Sequence, residues 1–193
     1  MLGEILNPYY LQIISFILIN IILGISIYIT LSSGQLSLGN AGFMGIGAYT
    51  SALLTINFEV PLYLSIVLGA VVAGAFGILI GIPALRLSGV YLAIATLGFG
   101  EVLRVIFVNW DSVTKGSIGL SGIPHLGREL FQFLRDLGFD PDMLGLKNNQ
   151  AIYLLVVLDL LIITIFIVWF FIRQNKSRVG RAYAAIKMDE KAA

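Results

Sequence analysis

Long uncharged stretches alternate with short polar breaks along most of the chain. No Asp, Glu, Lys or Arg occurs in residues 5–58, and a spanning helix needs about 20 apolar residues, so this stretch predicts two membrane segments. The turn-forming and polar residues at 32–35 are the natural break between them. Five hydrophobic segments are predicted in all, at residues 9–31, 36–56, 60–85, 90–110 and 151–172.

The composition supports a membrane protein. Apolar residues make up 58% of the chain and charged residues 12%, whereas soluble domains carry about 25% charged residues. We therefore predict an all-α polytopic membrane protein with about five hydrophobic segments, one of them glycine-rich and able to form a discontinuous helix. The lipid bilayer is its expected solvent. A net charge of +1 gives no basic field that would indicate a nucleic-acid partner.

Most enzyme classes are disfavoured by the residue inventory. The chain has no Cys and a single histidine, His125, which excludes thiolate catalysis and metal sites of Cys or several His residues. Asp159 is the single Asp at membrane depth, so a pair of intramembrane aspartates is excluded. No phosphate-binding loop motif is present, so any ATP is expected to be hydrolysed by another polypeptide. We predict no catalytic residue, no metal site and a role in transport.

The basic residues predict the orientation of the chain. Half of the 12 Lys and Arg residues follow the fifth segment, and such residues favour the cytoplasmic side. Counting back through alternating spans places the loop at 111–150 outside the cell, unless the second segment is re-entrant. Within this loop, residues 125–137 show helical amphipathic spacing, which is typical of a helix on the membrane surface, against its own spans or at a partner.

The second segment combines glycines with polar side chains. Five glycines lie within residues 34–47. Small residues allow close helix packing in lipid, and glycine also permits a broken helix, which membranes tolerate where it lines a cavity. Both interpretations stay open: a discontinuous helix beside a translocation path, or packing alone. The candidate path residues in this segment are Gln35, Ser37 and Asn40.

The third segment carries a small residue at every fourth position, which keeps these residues on one helix stripe. A stripe of this kind favours close packing against another helix. The predicted packing residues are Gly69, Ala73, Gly77 and Gly81.

Charged residues also occur inside the fourth and fifth segments. Glu101 and Arg104 are three residues apart, so they share a helix face and can pair. Asp159 has no basic residue within one turn and must face protein or water, be protonated or pair with another helix. Glu101 and Asp159 complete the candidate path residues.

Several sequence blocks stand out in order along the chain. The longest is GQLSLGNAGFMGIGAY at residues 34–49, which covers the glycine-rich segment. Two more occupy residues 81–87 and 91–101, another, GLSGIP, occupies residues 119–124 of the outer loop, and the last occupies residues 177–186 and 190–193. Together these blocks closely resemble the LivM-type permeases of bacterial branched-chain amino acid ABC importers, and the last block resembles their cytoplasmic coupling motif.

The resemblance implies one polytopic permease domain, of which residues 1–193 are a part, in a bacterial plasma membrane. It implies a sister permease, two ABC ATPase subunits and an extracytoplasmic solute-binding protein as partners. ATP and Mg would be bound by the ATPases and no cofactor by this chain, and leucine, isoleucine or valine would be imported. Residues 173–193 would form a cytoplasmic segment that couples to an ATPase through Arg178, Gly180, Arg181, Ala182, Ile186, Glu190, Ala192 and Ala193.

The chain departs from the family pattern in two places. It stops at Ala193, inside the coupling region, so we expect a C-terminally truncated piece that does not transport alone. Lys115 stands where the family usually has a small residue, which leaves loop contacts to the binding protein open. The alternatives are a related importer for urea or short amides and, from another class, a channel or assembly subunit without an ATPase.

Overall fold

The computed structural model describes residues 7–84, 86–87, 89–136 and 148–188. Over these ranges the secondary structure is helical and no β-strand occurs, which confirms the all-α class. A 3-10 turn, Gly116–Ile118, follows the fifth helix. The helices are α1 (Pro8–Ser32), α2 (Asn40–Phe58), α3 (Leu62–Ala84), α4 (Val90–Asn109), α5 (Asp111–Thr114), α6 (Leu126–Asp136), α7 (Asn148–Asn175) and α8 (Arg178–Met188).

Four of the described helices, α1, α3, α4 and α7, are long and apolar enough to cross a membrane. They coincide with the first, third, fourth and fifth predicted segments. The count of five is not confirmed, because the second segment forms α2, which is not among these four. Amides, hydroxyls and glycines lower the hydropathy of α2, although its 19 residues extend about 28 Å at the usual helical rise.

The link between α2 and α3 shows how local chemistry ends a helix. Glu59, directly after α2, adopts a left-handed conformation with φ of 52°, and its N–H donates to the carbonyl of Leu54. This hydrogen bond closes the last turn of α2 and gives the carbonyl of Leu54 a partner that it would otherwise lack at the helix end. Pro61 then precedes α3, where a missing N–H costs nothing.

The chain divides into two compact units. The unit formed by Ser26–Ile123 and Ala182–Ala193 is called the glycine-rich unit below. The unit formed by Met1–Ile25 and Pro124–Arg181 is called the loop-helix unit.

In the glycine-rich unit, α2 packs against both α3 and α4. Gly42 and Ile46 of α2 are buried. In α3, the buried hydroxyl of Ser65 donates to the carbonyl of Val60 at 3.3 Å. At the end of α4, Trp110 precedes α5, where the buried hydroxyl of Thr114 donates to the carbonyl of Phe107 at 2.6 Å. Small and hydroxyl-bearing residues thus dominate this interior.

In the loop-helix unit, the predicted amphipathic helix forms as α6 and packs on α7. Gly127 makes the approach close: a methyl group added there would lie 2.5 Å from the carbonyl oxygen of Ile152 and 2.9 Å from Cγ2 of Val156. The ring of His125 meets that of Tyr153 edge-on, with centroids 5.2 Å apart. Of the three predicted locations for this helix, the structure shows contact with its own span, α7.

Candidate functional site

The chain is not helical between α1 and α2. The left-handed Gly34, with φ of 81°, turns the chain out of α1, and the N–H of Gln35 donates to the carbonyl of Thr30 at 3.1 Å. Residues 35–38 then lie outside any helix before α2 begins at Asn40. The break therefore precedes the glycine-rich helix, which is continuous from Asn40 to Phe58.

The residues of this break, Gln35 to Gly39, are called the entry segment below. Their exposure alternates: Gln35 and Ser37 are half-buried and Gly39 is buried, whereas Leu36 and Leu38 are 42% and 46% exposed. The N–H of Ser37 donates to the carbonyl of Gln35 at 3.2 Å, so the chain turns tightly at Leu36. The two polar side chains are thus less exposed than the leucines that follow them.

Asn40, the first residue of α2, is tied to α1. Its side-chain amide donates to the hydroxyl oxygen of Ser26 at 2.7 Å. Asn40 thus lies at the end of the same break as Gln35 and Ser37, and the structure brings these three candidate path residues into one stretch of chain. The sequence analysis did not identify Ser26, because a serine within an apolar helix has no distinctive local pattern.

The entry segment is also tied to α4. The N–H of Leu38 donates to the hydroxyl oxygen of Thr96 at 2.9 Å. A methyl group added at Gly39 would lie 3.4 Å from the carbonyl oxygen of Thr96 and 3.5 Å from its Cβ. The backbone of the entry segment therefore rests directly on Thr96 of α4. Thr96 was missed by the sequence analysis for the same reason as Ser26.

Two glycines of α2, Gly42 and Gly45, pack closely against α4. A methyl group at Gly42 would lie 3.0 Å from Cδ1 of Leu103, and one at Gly45 would lie 2.8 Å from the ring of Phe107. The same ring stacks on Tyr49 with centroids 4.5 Å apart. The packing interpretation thus applies to α2, and the non-helical break lies before it.

The predicted stripe on α3 meets α2 over part of its length. A methyl group at Gly69 would lie 2.6 Å from the carbonyl oxygen of Gly47, and one at Gly47 would lie 3.7 Å from Cβ of Ala73. A methyl group at Gly77 would lie 3.9 Å from the ring of Phe43, but one at Gly81 would meet nothing within 4 Å. The contact between α2 and α3 is therefore centred on Gly69.

Glu101 and Arg104 form an ion pair on α4, with 2.7 Å between Oε1 and Nη2. Nε of Arg104 donates to both carboxylate oxygens at 3.0 Å. The side chains are 56% and 70% exposed, so the pair lies on a face of α4 that the described residues leave uncovered. Asp159 lies in the loop-helix unit, half-buried within α7.

Arg178, Gly180 and Arg181, three of the predicted coupling residues, lie on a helix that follows α7 almost directly. Within the loop-helix unit, Arg181 donates from Nη1 to the carbonyl of Lys176 at 3.3 Å, and an added methyl at Gly180 would overlap the backbone of Asn175. These two contacts make the turn from α7 into α8 tight. Within α7, the guanidinium carbon of Arg173 lies 5.8 Å from the ring centre of Trp169, a cation–π arrangement.

The remaining coupling residues are less fully described. Ala182 and Ile186 lie within α8. Glu190, Ala192 and Ala193 lie outside the described residues. In the part of the chain that is described, no group of three or more His, Cys, Asp or Glu side chains is placed to hold a metal ion.

A known family matches nearly the whole chain. The family described as "Branched-chain amino acid transport system / permease component" matches residues 9–193. The high-affinity branched-chain amino acid transport system permease protein LivM of Escherichia coli (strain K12) is 38% identical over 183 residues, which is 90% of this chain and 42% of that protein. LivM of Salmonella typhimurium (strain LT2) matches with the same identity and coverage.

The chain therefore spans about two fifths of the length of these relatives. No solved structure matches it. The matched range includes the entry segment, α2, the ion pair on α4 and the turn into α8.

Proposed function

Because the chain belongs to the family of permease components of branched-chain amino acid transport systems, we propose that it is part of the membrane-spanning subunit of an ATP-driven importer for leucine, isoleucine and valine. The chain is a multi-pass membrane protein, as its four long apolar helices and its family indicate. The family match over residues 9–193 is the observation that carries the proposal. Transport itself is proposed for the complete subunit with its partners.

The entry segment supports a role beside the translocation path. Non-helical backbone in a membrane is tolerated where it is buried in protein or lines a water-filled cavity, and transporters place such breaks at their substrate sites. Gln35, Ser37 and Asn40 would line the path from this segment, while Glu101 and Asp159 would contribute from α4 and α7. Gln35 and Ser37 are half-buried, whereas Leu36 and Leu38 are exposed, and this difference supports placing the two polar side chains toward the path.

The turn into α8 supports a role in coupling. A membrane helix followed within a few residues by a short basic helix passes motion at the membrane surface to the span above it, provided that the turn is stiff. The close approach of Gly180 to Asn175 supplies that stiffness here. We assign the predicted coupling residues at 178–193 to contact with an ATPase, which would bind ATP with Mg and hydrolyse it, while this chain binds no cofactor.

The proposed topology places α8 in the cytoplasm of a bacterium and α6 outside the plasma membrane. The basic residues that follow α7 favour the cytoplasmic side. The proposed partners are a sister permease, two ATPases and an extracytoplasmic solute-binding protein. This arrangement puts the receptor and the motor on opposite faces of the same subunit.

Uptake into proteoliposomes tests the substrate. The complete permease is reconstituted with its partners, and uptake of labelled leucine is measured with ATP inside, in the presence of excess unlabelled isoleucine or urea. We expect competition by isoleucine and none by urea. Competition by urea alone would assign the subunit to the related importers of short amides, and uptake that needs no ATPase would assign it to the channels.

Cross-linking tests the coupling and the topology together. None of the 193 residues is Cys, so single cysteines can be placed at Arg181 and, as a control, at Ile118, which is 91% exposed in the outer loop. We expect Arg181→Cys to cross-link to an ATPase and Ile118→Cys not to. A cross-link from Ile118→Cys, or none from Arg181→Cys, would contradict the assignment.

A further inference from the structure

Thr96 is the residue of α4 that holds the entry segment. Its hydroxyl oxygen accepts the N–H of Leu38 at 2.9 Å, and its own proton goes to the carbonyl of Leu92 at 2.8 Å or of Ala93 at 3.1 Å. A hydroxyl has one proton to donate and lone pairs left to accept. Thr96 therefore bonds its own helix and the entry segment at the same time.

Thr55 and Thr164 lack this second bond in the described structure, whereas the hydroxyl oxygen of buried Thr114 also accepts an N–H, that of Gly116 at 3.4 Å. Thr96, Thr55 and Thr164 are each 7% exposed. The hydroxyl of Thr164 donates to the carbonyl of Leu160 at 2.7 Å, four residues earlier in its own helix, and Thr55 does the same with Ser51. Thr164 is thus a matched control, with the same burial and the same intrahelical bond.

The bond to Leu38 matters because of where it lies. Without it, the N–H of Leu38 would lack a protein partner, and a peptide N–H with no partner carries a penalty unless water replaces it. Gly39 lies beside the same residue, since a methyl group added there would be in van der Waals contact with Thr96. Together with the hydrogen bond from Asn40, directly after the entry segment, to Ser26, Thr96 ties this stretch of chain to α4 and α1.

We propose that Thr96 is a positioning residue of the permease, whose hydroxyl holds the entry segment so that Gln35 and Ser37 keep their orientation during transport. This inference rests on the proposed function, because it assigns the entry segment to the solute path. It adds a residue that acts through the backbone of Leu38 and needs no contact with solute.

The test compares Thr96→Val, Thr96→Ser and Thr164→Val in the complete, reconstituted transporter. Valine keeps the shape of threonine and removes the hydroxyl, whereas serine keeps the hydroxyl. For labelling, each variant also carries Ser37→Cys, and its labelling rate with a membrane-impermeant maleimide is measured against the same complex without that cysteine. Uptake of leucine is measured in the same Thr96 and Thr164 variants with Ser37 intact, per assembled complex, with assembly determined from the ATPase that co-purifies.

We expect Thr96→Val to change the labelling rate at position 37 by about tenfold, since the loss of a part-buried hydrogen bond shifts an equilibrium by up to about that factor. Uptake per assembled complex should fall to a similar extent. Thr96→Ser and Thr164→Val should match the parent in both measurements. The labelling result does not depend on which solute is carried, so it distinguishes failure of this inference from failure of the proposed function.

Three outcomes would overturn the inference. The first is equal labelling and uptake in Thr96→Val and Thr164→Val. The second is a defect in Thr96→Ser as large as that in Thr96→Val, which would assign the effect to the lost methyl group. The third is failure of both Thr96→Val and Thr96→Ala to assemble while Thr164→Val and Thr164→Ala assemble, which would make Thr96 a folding residue.

Discussion

A methyl group at position 69 should force α2 and α3 apart. In Gly69→Ala the new Cβ would lie 2.6 Å from the carbonyl oxygen of Gly47 and 3.3 Å from Cβ of Ser51. The nearer atom belongs to the backbone, so no change of side-chain rotamer relieves the overlap. The helices must therefore separate, and the contacts between them weaken.

The expected change in the free energy of unfolding follows from two opposing effects. Overpacking a close interior contact costs about 1–3 kcal/mol, whereas alanine is about 1 kcal/mol better than glycine inside a helix. Gly74→Ala, on the same helix, has the second effect without the first, because an added methyl at Gly74 meets nothing within 4 Å. The free energies of unfolding of these two variants should therefore differ by about 1–3 kcal/mol, with Gly69→Ala the less stable.

Thermal unfolding of the purified chain in detergent, followed by far-ultraviolet circular dichroism, measures this difference. A change of 1 kcal/mol shifts the Tm of a chain of this size by about 2–4 °C, so Gly69→Ala should melt about 2–12 °C below Gly74→Ala. Gly81→Ala should have about the same Tm as Gly74→Ala, even though Gly81 and Gly69 lie on the same predicted stripe of α3. A Tm of Gly69→Ala at or above that of both controls would refute the reasoning.

Three further variants test other parts of the structure. Asn40→Leu removes the hydrogen bond to Ser26, so leucine uptake by the complete transporter should fall; unchanged uptake would leave packing as the role of this position. Gly127→Ala places a methyl group 2.5 Å from the backbone of α7, so amide hydrogen exchange across α6 should accelerate, and equal exchange would contradict the close contact. Glu101→Gln leaves Arg104 without its anionic partner inside a span, so membrane insertion of α4 in a glycosylation assay should fall and should recover when both residues are Gln. Equal insertion of the single and double variants would show that the ion pair does not contribute to the insertion of α4.

The spans could be predicted because apolar length is a local property. A helix of about 20 apolar residues is long enough to cross the hydrocarbon core of a bilayer, whatever it packs against. For this reason α1, α3, α4 and α7 match their predicted segments within a few residues. The break after Ser32 was predictable for a similar reason, since glycine, serine and glutamine in sequence favour a turn.

The contacts across the site could not be read from local pattern. Thr96 is 58 residues from Leu38, and a threonine in a span usually bonds its own helix, as Thr164 does. The spacing of small residues on α3 predicted a packing stripe but not its extent, because the angle at which two helices cross decides where they diverge. Gly81 shares the stripe with Gly69 and still meets no neighbour among the described residues.

The two compact units differ in a way that optical spectroscopy can use. The chain has two tryptophans: Trp110 lies in the glycine-rich unit, and Trp169 lies in the loop-helix unit beside Arg173. Replacing either one with Phe leaves a single tryptophan in a known unit, and this residue can be excited at wavelengths where the eight tyrosines do not absorb. Denaturation of each half can then be followed by emission alone, without attaching a dye.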